Sequence, residues 1–528
     1  MKIFKYTTLV LICEFLLTNC TANFDGTNSN PNKITVESGK LSASAMFEPI
    51  LYGGTNYLTY ISWFWNDELI QHTANTAYTV RQEHRYYIGD SNWTSLWNHI
   101  ASYGSNIYEM YRLATIQNEP ALQAVSKTLY VLWMQNLTDM FGDIPYSQAF
   151  QATKGIKKPV FDSQKQVYQE MCSDLETANK IYAKNPYVNS SITSLDGMYG
   201  FDMGKWRKFN NSLYLRLLCR ISGRPTTMID STYTVLEKMQ QIVNNPSEYP
   251  IFTSNDDNAT VHYSAIDPYY SEFDPKDYTE ADFTAYRLTE ETIKLMVVKG
   301  NDETVDAYID PRLPIIGNKR PKYTYWKGTV AGCTPEEQNI ADKGTSYLNY
   351  TTLSRNNSDE FLMDYSEVEF ILAEAALNGW ISGGEKAAHT YYENAVTASM
   401  KKWSGFGTII SNDYTITDDQ IKEYLNSPLG SWDDNSNHEQ LIINQKYLAS
   451  FWVGMEGWNE YRRTGYPILT IGAGCTFNDM VLPTRMAYPN TTVATNAINV
   501  AAALKDMGGD NDMKTPLWWS KQAIKEGK

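Results

Sequence analysis

Metal and nucleophile chemistry announces itself in a sequence through ligands at fixed spacings. This chain of 528 residues carries no HExxH, no GxxxxGK[ST], no GxSxG and no GxGxxG. Its six histidines, His72, His84, His99, His262, His389 and His438, are dispersed, and none stands four residues from another histidine or a cysteine. Asp433 to Asn437 imitate the opening of a calcium loop. However, His438 stands where the loop needs glycine and Asn444 where it needs a bidentate glutamate, so a solvated turn is expected. The acidic stretch 267–282 reads as an exposed loop. Carboxylate pairs of the glycosidase kind are set by distance in space and are not readable from spacing. No catalysis, metal or cofactor is therefore expected. With a net charge of -15 the chain also lacks the basic footprint that nucleic acid requires.

Aromatic chemistry remains. Tyrosine, at 38, outnumbers phenylalanine, at 18. Its apolar body and polar tip suit wet, half-exposed surfaces. Three groups of rings fall at helix ends or in polar loops: Trp63 and Trp65, Tyr269 and Tyr270, then Tyr323, Tyr325 and Trp326. Such rings can pack against the CH faces of a pyranose while Asn, Asp and Arg bond its hydroxyls. They can equally cover the edge of a scaffold, and both readings stand at this point.

The N-terminus reads as a targeting segment. Lys2 and Lys5 precede an apolar stretch, Thr7 to Leu17, too short to span a bilayer. Cys20 closes it as in the lipobox of bacterial lipoproteins, where that cysteine is lipidated after cleavage. The alternative is an ordinary secretory signal with a bystander cysteine. Residues 1–19 are thus expected to be a signal peptide and 20–40 a polar tether. Residues 41–528 are expected to be a single domain. Cys172, Cys219, Cys333 and Cys475 are scattered and form no CxxC, so neither zinc nor a disulfide framework is implied.

The elements that must position the rings are helical. Apolar residues recur at helical spacing over 41–70 and 93–118, and again behind Pro120, where proline suits the first turn. The pattern continues from about Asp162, expected as an N-cap, and over 205–222 and 231–244. In the second half, 364–378 and 385–402 flank the turn Gly379–Gly384 and look like one tetratricopeptide-type hairpin. Further helices are expected over 437–452 and 455–463. Two irregular stretches, 246–286 and 312–360, break the pattern as loops of a length that is usually functional or disordered.

Several segments, in order, resemble one family. They are Phe141-Gly142-Asp143-Ile144-Pro145-Tyr146, Lys205-Trp206-Arg207-Lys208-Phe209 with Arg216 and Arg220, Asp310-Pro311-Arg312-Leu313, Tyr365-Ser366-Glu367-Val368-Glu369-Phe370 with Glu374, Glu456-Gly457-Trp458-Asn459-Glu460-Tyr461-Arg462-Arg463, and Pro483-Thr484-Arg485 with Trp518-Trp519. Together they resemble the SusD/RagB family of nutrient-binding outer-membrane lipoproteins of Bacteroidetes. The resemblance implies an all-α fold of tetratricopeptide-like helix pairs with a large loop-rich insertion. It implies capture of a glycan, or in some members a peptide, and delivery to a SusC-like TonB-dependent transporter from a lipid anchor on the cell surface. The rival class is a lipid-anchored glycan-degrading enzyme. The family motifs are scaffold: Arg207, Arg216, Glu369, Glu374 and Arg462 are expected in buried ion pairs.

Overall fold

The computed structural model describes residues 41–77, 82–341 and 343–527. The expected signal peptide, Cys20 and the tether lie outside the described residues.

The first half is a run of helices, each packed on the next: α1 (Ala43–Ile61), α2 (Asp90–Ile116), α3 (Pro120–Phe141), α4 (Gln164–Tyr182), α5 (Met203–Arg220) and α6 (Val235–Asn244). Their starts follow local chemistry. Pro120 opens α3, where its missing N–H leaves no bond unmade. Asp202 caps α5 by accepting the backbone N–H groups of Gly204 and Lys205 at 2.8 and 3.1 Å. Asp162 is not the cap of α4. Ser163 takes that position, while Asp162 turns back to accept the N–H groups of Tyr146 and Ser147 at 2.9 and 2.7 Å. A carboxylate one residue before the helix satisfies the preceding loop instead.

The second half holds α7 (Tyr365–Leu377), α8 (Gly384–Thr408), α9 (His438–Ala449) and α10 (Glu456–Thr464). Helices α7 and α8 form the expected hairpin, and α9 packs on α7. Asn437, in the calcium-loop imitation, caps α9 by accepting the Gln440 N–H at 3.1 Å. Helix covers 54% of the described residues and strand 7%, so the all-α reading holds. No described helix is long and apolar enough to cross a membrane.

The strands are short and, β1 apart, fall between residues 259 and 363, within and between the two irregular stretches. They are β1 (Thr73–Asn75), β2 (Ala259–Val261), β3 (Tyr286–Leu288), β4 (Val297–Lys299), β5 (Asp306–Ile309), β6 (Gly317–Asn318), β7 (Tyr347–Leu348) and β8 (Glu360–Met363). They make a four-stranded sheet in the order β1-β3-β7-β6, and two antiparallel pairs, β2 with β8 and β4 with β5. No helical periodicity pointed to this sheet, because strands of two to four residues carry too few positions to show a period.

Trp206 is fully buried, as its place among Phe209, Leu213 and Leu217 predicts. Its indole N–H donates to Asp196 at 2.8 Å, and its ring lies 6.1 Å from Phe47 and 5.7 Å from Tyr199. The helical seam around α5, α7, α9 and α10 is charged. Arg216 pairs with Glu367 at 2.6 Å, and Arg463 bridges Glu374 and Glu460, each at 2.6 Å. Lys446 reaches Glu460 at 3.1 Å, and Arg220 bonds Glu456. Burial alone would raise the Glu460 carboxyl, but Arg463, Lys446 and Arg220 outweigh it and hold the group well below its usual range. The expected ion pairs form at Arg216 and Glu374 only. Arg207 bonds Asn179 and the Glu248 carbonyl, Glu369 accepts from Asn394, and Arg462 donates to the Asp139 and Thr484 carbonyls while lying 3.5 Å over the Trp458 ring.

Candidate functional site

The candidate site is built on the β4–β5 hairpin. Lys299 and Asp306 face each other across its strands, with Nζ 2.8 Å from Oδ1. Both then reach past the hairpin to the 319–327 loop. Asp306 accepts the Trp326 backbone N–H at 2.9 Å, and Lys299 donates to the Trp326 carbonyl at 2.5 Å. The backbone at Trp326 is thereby held through both its N–H and its carbonyl. Lys299 lies 5.2 Å from the Tyr325 ring centroid, and Lys319 lies 5.7 Å from that of Trp326.

This clamp forms one wall of a cavity of about 340 Å³. Tyr325 and Trp326 line it, facing Ile293 and Val297 from the short helix Glu290–Met296 and its extension, with Glu290, Lys294 and Glu303 also at its walls. Apolar rings with a few converging polar groups are the composition of a small-molecule or sugar site. The loop itself, Lys319 to Lys327, carries Lys319, Arg320, Lys322 and Lys327 with no acidic residue, in a chain of net charge -15. Among the described residues, no cluster of three or more histidine, cysteine or carboxylate groups could hold a metal ion.

The sequence-predicted rings separate into three places. Tyr323, Tyr325 and Trp326 come together: Tyr323 and Tyr325 are half-buried, edge to face at 5.6 Å, and Trp326 is 3% exposed. Only an edge of Trp326 is thus offered to the cavity, and its indole N–H has no acceptor. Tyr269 and Tyr270 lie elsewhere, half-buried against α1. The Tyr269 ring is 4.8 Å from that of Tyr52, and its hydroxyl, bonded to Glu48, is pushed up to about 12. The carbonyl of Tyr270 accepts from Asn56, and Lys276 sits 3.8 Å over its ring.

Trp63 and Trp65 stand near the end of the first helix, as expected, but the structure buries both. They occupy a π-helical turn, Ser62–Asn66, that continues α1 inward, and are 1% and 7% exposed. The Trp63 ring is enclosed by Phe273, Tyr278, Phe283 and Tyr286, all within 5.1 Å between centroids. The loop stretch 267–286 folds back over it, so of the two readings the Trp63 ring takes the scaffold one, as core beneath a loop.

Sequence reasoning missed Lys299 and Asp306, because their pairing rests on a hairpin of short strands. It also missed a half-exposed ring row on α1 and α2, where Tyr57 stacks on His99 at 4.8 Å and neighbours Tyr60 at 6.1 Å. The i, i+3 spacing of Tyr57 and Tyr60 was the available signal.

A helical scaffold presenting an aromatic, polar-walled cavity on inserted loops is the build of a solute-binding protein. The chain belongs to the SusD-like family described as starch-binding, associating with the outer membrane, which matches residues 31–489. Among solved structures, it is similar to a SusD homologue from Bacteroides fragilis, at 23% identity and a TM-score of 0.75, covering 91% of this chain and 100% of that one. A SusD homologue from Parabacteroides distasonis gives 22%, 0.73, and coverage of 91% and 98%. A chitin-binding SusD homologue from Flavobacterium johnsoniae gives 22%, 0.69, and coverage of 90% and 98%. Comparison with curated protein sequences gives no match.

Proposed function

We propose that this chain captures an oligosaccharide or polysaccharide in the Tyr325–Trp326 cavity and passes it to a SusC-like TonB-dependent transporter. The observation that carries the reading is the clamp. Lys299 and Asp306 fix the Trp326 peptide and leave the neighbouring Tyr325 ring half-exposed at a cavity wall. A fixed ring offers a flat apolar face without losing side-chain freedom on binding. Glu290, Glu303 and the lysines at the cavity wall supply the polar contacts to the sugar hydroxyls. The family's starch-binding description and the chitin-binding relative support a glycan over a peptide. Lipid attachment through Cys20 and exposure at the cell surface complete the reading.

The test is calorimetric titration of the purified chain against a polysaccharide panel, with the Tyr325→Ala variant alongside. Saturable binding that Tyr325→Ala weakens tenfold or more, with no release of reducing ends, is the expected result. Turnover of any polysaccharide would replace the binding reading with the enzyme one. For the anchor, Cys20→Ala should leave the detergent phase in a partitioning assay, and equal partitioning with wild type would exclude Cys20.

A further inference from the structure

The scattered cysteines imply no disulfide framework, yet the fold brings two of them together. Residues 331–334 follow the Trp326 loop, and residues 472–475 follow α10. The two segments lie backbone against backbone: the Gly474 N–H donates to the Gly332 carbonyl at 2.7 Å. The approach is close enough to require glycine. A Cβ on Gly474 would stand 2.5 Å from the Cys333 carbonyl oxygen, and one on Gly472 would stand 2.3 Å from those of Ala331 and Gly332. Gly332 also sits at φ +68°, and a Cβ there would lie 2.5 Å from Cys475 Sγ. The Cys475 sulfur therefore already rests on the peptide that leads into Cys333. Both cysteines also meet the same turn: Cys475 Sγ lies 3.8 Å from the His84 carbonyl, and Arg85 donates to the Cys333 carbonyl at 2.6 Å. Both residues are free thiols here, 1% and 0% exposed.

We propose that Cys333 and Cys475 form an oxidative modification site. Outside the cytoplasm they join as a disulfide that staples the loop bearing Tyr325 and Trp326 to the chain behind α10. The compartment follows from the family's association with the outer membrane, and disulfides persist outside the cytoplasm. In the step, two S–H bonds break and one S–S bond forms. The two electrons and two protons pass to the disulfide of an extracytoplasmic thiol oxidase, which leaves as a dithiol. Exchange of this kind needs a thiolate and access. Burial pushes the Cys475 thiol up to about 11 and raises Cys333 as well, though Arg85 opposes both shifts. The bond therefore closes while the chain is folding, and the finished fold shields it from reductant. Cys172 and Cys219 sit within α4 and α5, buried and free, and serve as internal controls.

The experiment uses the full chain exported by its native host, denatured in N-ethylmaleimide without reductant and digested with trypsin. The peptides 328–343 and 464–485 each contain a single cysteine. The expected result is one cross-linked species, two hydrogens lighter than the sum of the two, which separates on reduction, while the peptides of Cys172 and Cys219 carry the label. Recovery of 328–343 and 464–485 apart and labelled overturns the proposal. A second measurement guards against variants that misfold. C333S, C475S and the double variant should share one lowered Tm, and wild type folded in reductant should fall to the same value. Additive losses, or a wild type indifferent to reductant during folding, also overturn it.

Discussion

Where α5, α7, α9 and α10 meet, Arg216, Arg220, Lys446 and Arg463 are buried against Glu367, Glu374, Glu456 and Glu460, all carried on helices. At the Tyr325–Trp326 cavity a single cross-strand pair, Lys299 with Asp306, is carried on a hairpin and holds a loop backbone. The seam uses many charges to hold helices in one arrangement. The cavity uses one carboxylate, Asp306, with Lys299 and Lys319, to hold a loop whose Tyr325 ring stays half in solvent. A scaffold built the first way tolerates loops that differ in sequence, because no ion pair of the seam uses a loop side chain. The ligand-facing surface is then free to vary while the frame stays constant.

The contrast breaks first at the seam. Glu460→Ala removes the shared partner of Arg463 and Lys446 and leaves cations buried, so it should cost about 3–5 kcal/mol of stability. Chemical denaturation of the variant and wild type measures this. A change below about 1 kcal/mol would show that water reaches the seam and that the charges there are solvated.

Trp63→Ala tests the boundary between the regions. With the ring enclosed by four other aromatic rings, its loss should cost about 3–5 kcal/mol, in the manner of other buried aromatics. Binding measured on the fraction that stays folded should be unchanged. A stable variant that fails to bind would return Trp63 to the ligand surface.

Trp63 also marks the limit of what the sequence reveals. The helices were legible because apolar residues repeat along each of them, and that repeat is local. The α7–α8 hairpin and the burial of Trp206 were read in the same way. The seam was legible only in part: Arg216 and Glu374 found carboxylate or guanidinium partners, but Arg462 and Arg207 found carbonyls. Which polar group meets a buried guanidinium is decided by the neighbouring helix and has no signature in its own segment. The cavity was legible only as a list of rings. Tyr323, Tyr325 and Trp326 are adjacent in sequence and stay together. The burial of Trp63 was not legible, because the residues that cover it lie some two hundred positions away.

Tyr325→Ala sharpens the comparison from the other side. The ring has little packed behind it, so its removal should lower affinity for the cognate glycan tenfold or more, about 1.4 kcal/mol, and leave Tm within a few degrees. Calorimetry and a melting curve on the same sample separate the two effects. Weakened binding accompanied by a large fall in Tm would make Tyr325 part of the frame.

The smallest effect concerns carboxylates that lack the seam's cations. Glu360, on β8, is buried where α1 meets the 262–280 loop. It accepts hydrogen bonds from the hydroxyls of Thr59 and Tyr263 at 3.1 and 3.0 Å, and from the Glu272 backbone N–H at 2.6 Å. Burial pushes its carboxyl up to about 8, and that of Glu272 up to about 7. The sign is opposite to that at Glu460. Below about pH 4.5 the folded and unfolded chains are both protonated at Glu360. As pH rises toward 8 the unfolded chain releases its proton first, so stability falls across that window and the loss is complete above it. Glu460, held low by its cations, contributes stability that is lost only on acidification through and below its ordinary range. Glu360→Gln keeps a carbonyl oxygen for the Glu272 N–H but cannot ionise. Between pH 5 and pH 8.5 its Tm should therefore decline less than that of wild type. Parallel declines would mean that the loop opens to hydrate Glu360 before its proton is lost, and that the 262–280 loop is held on α1 by packing alone.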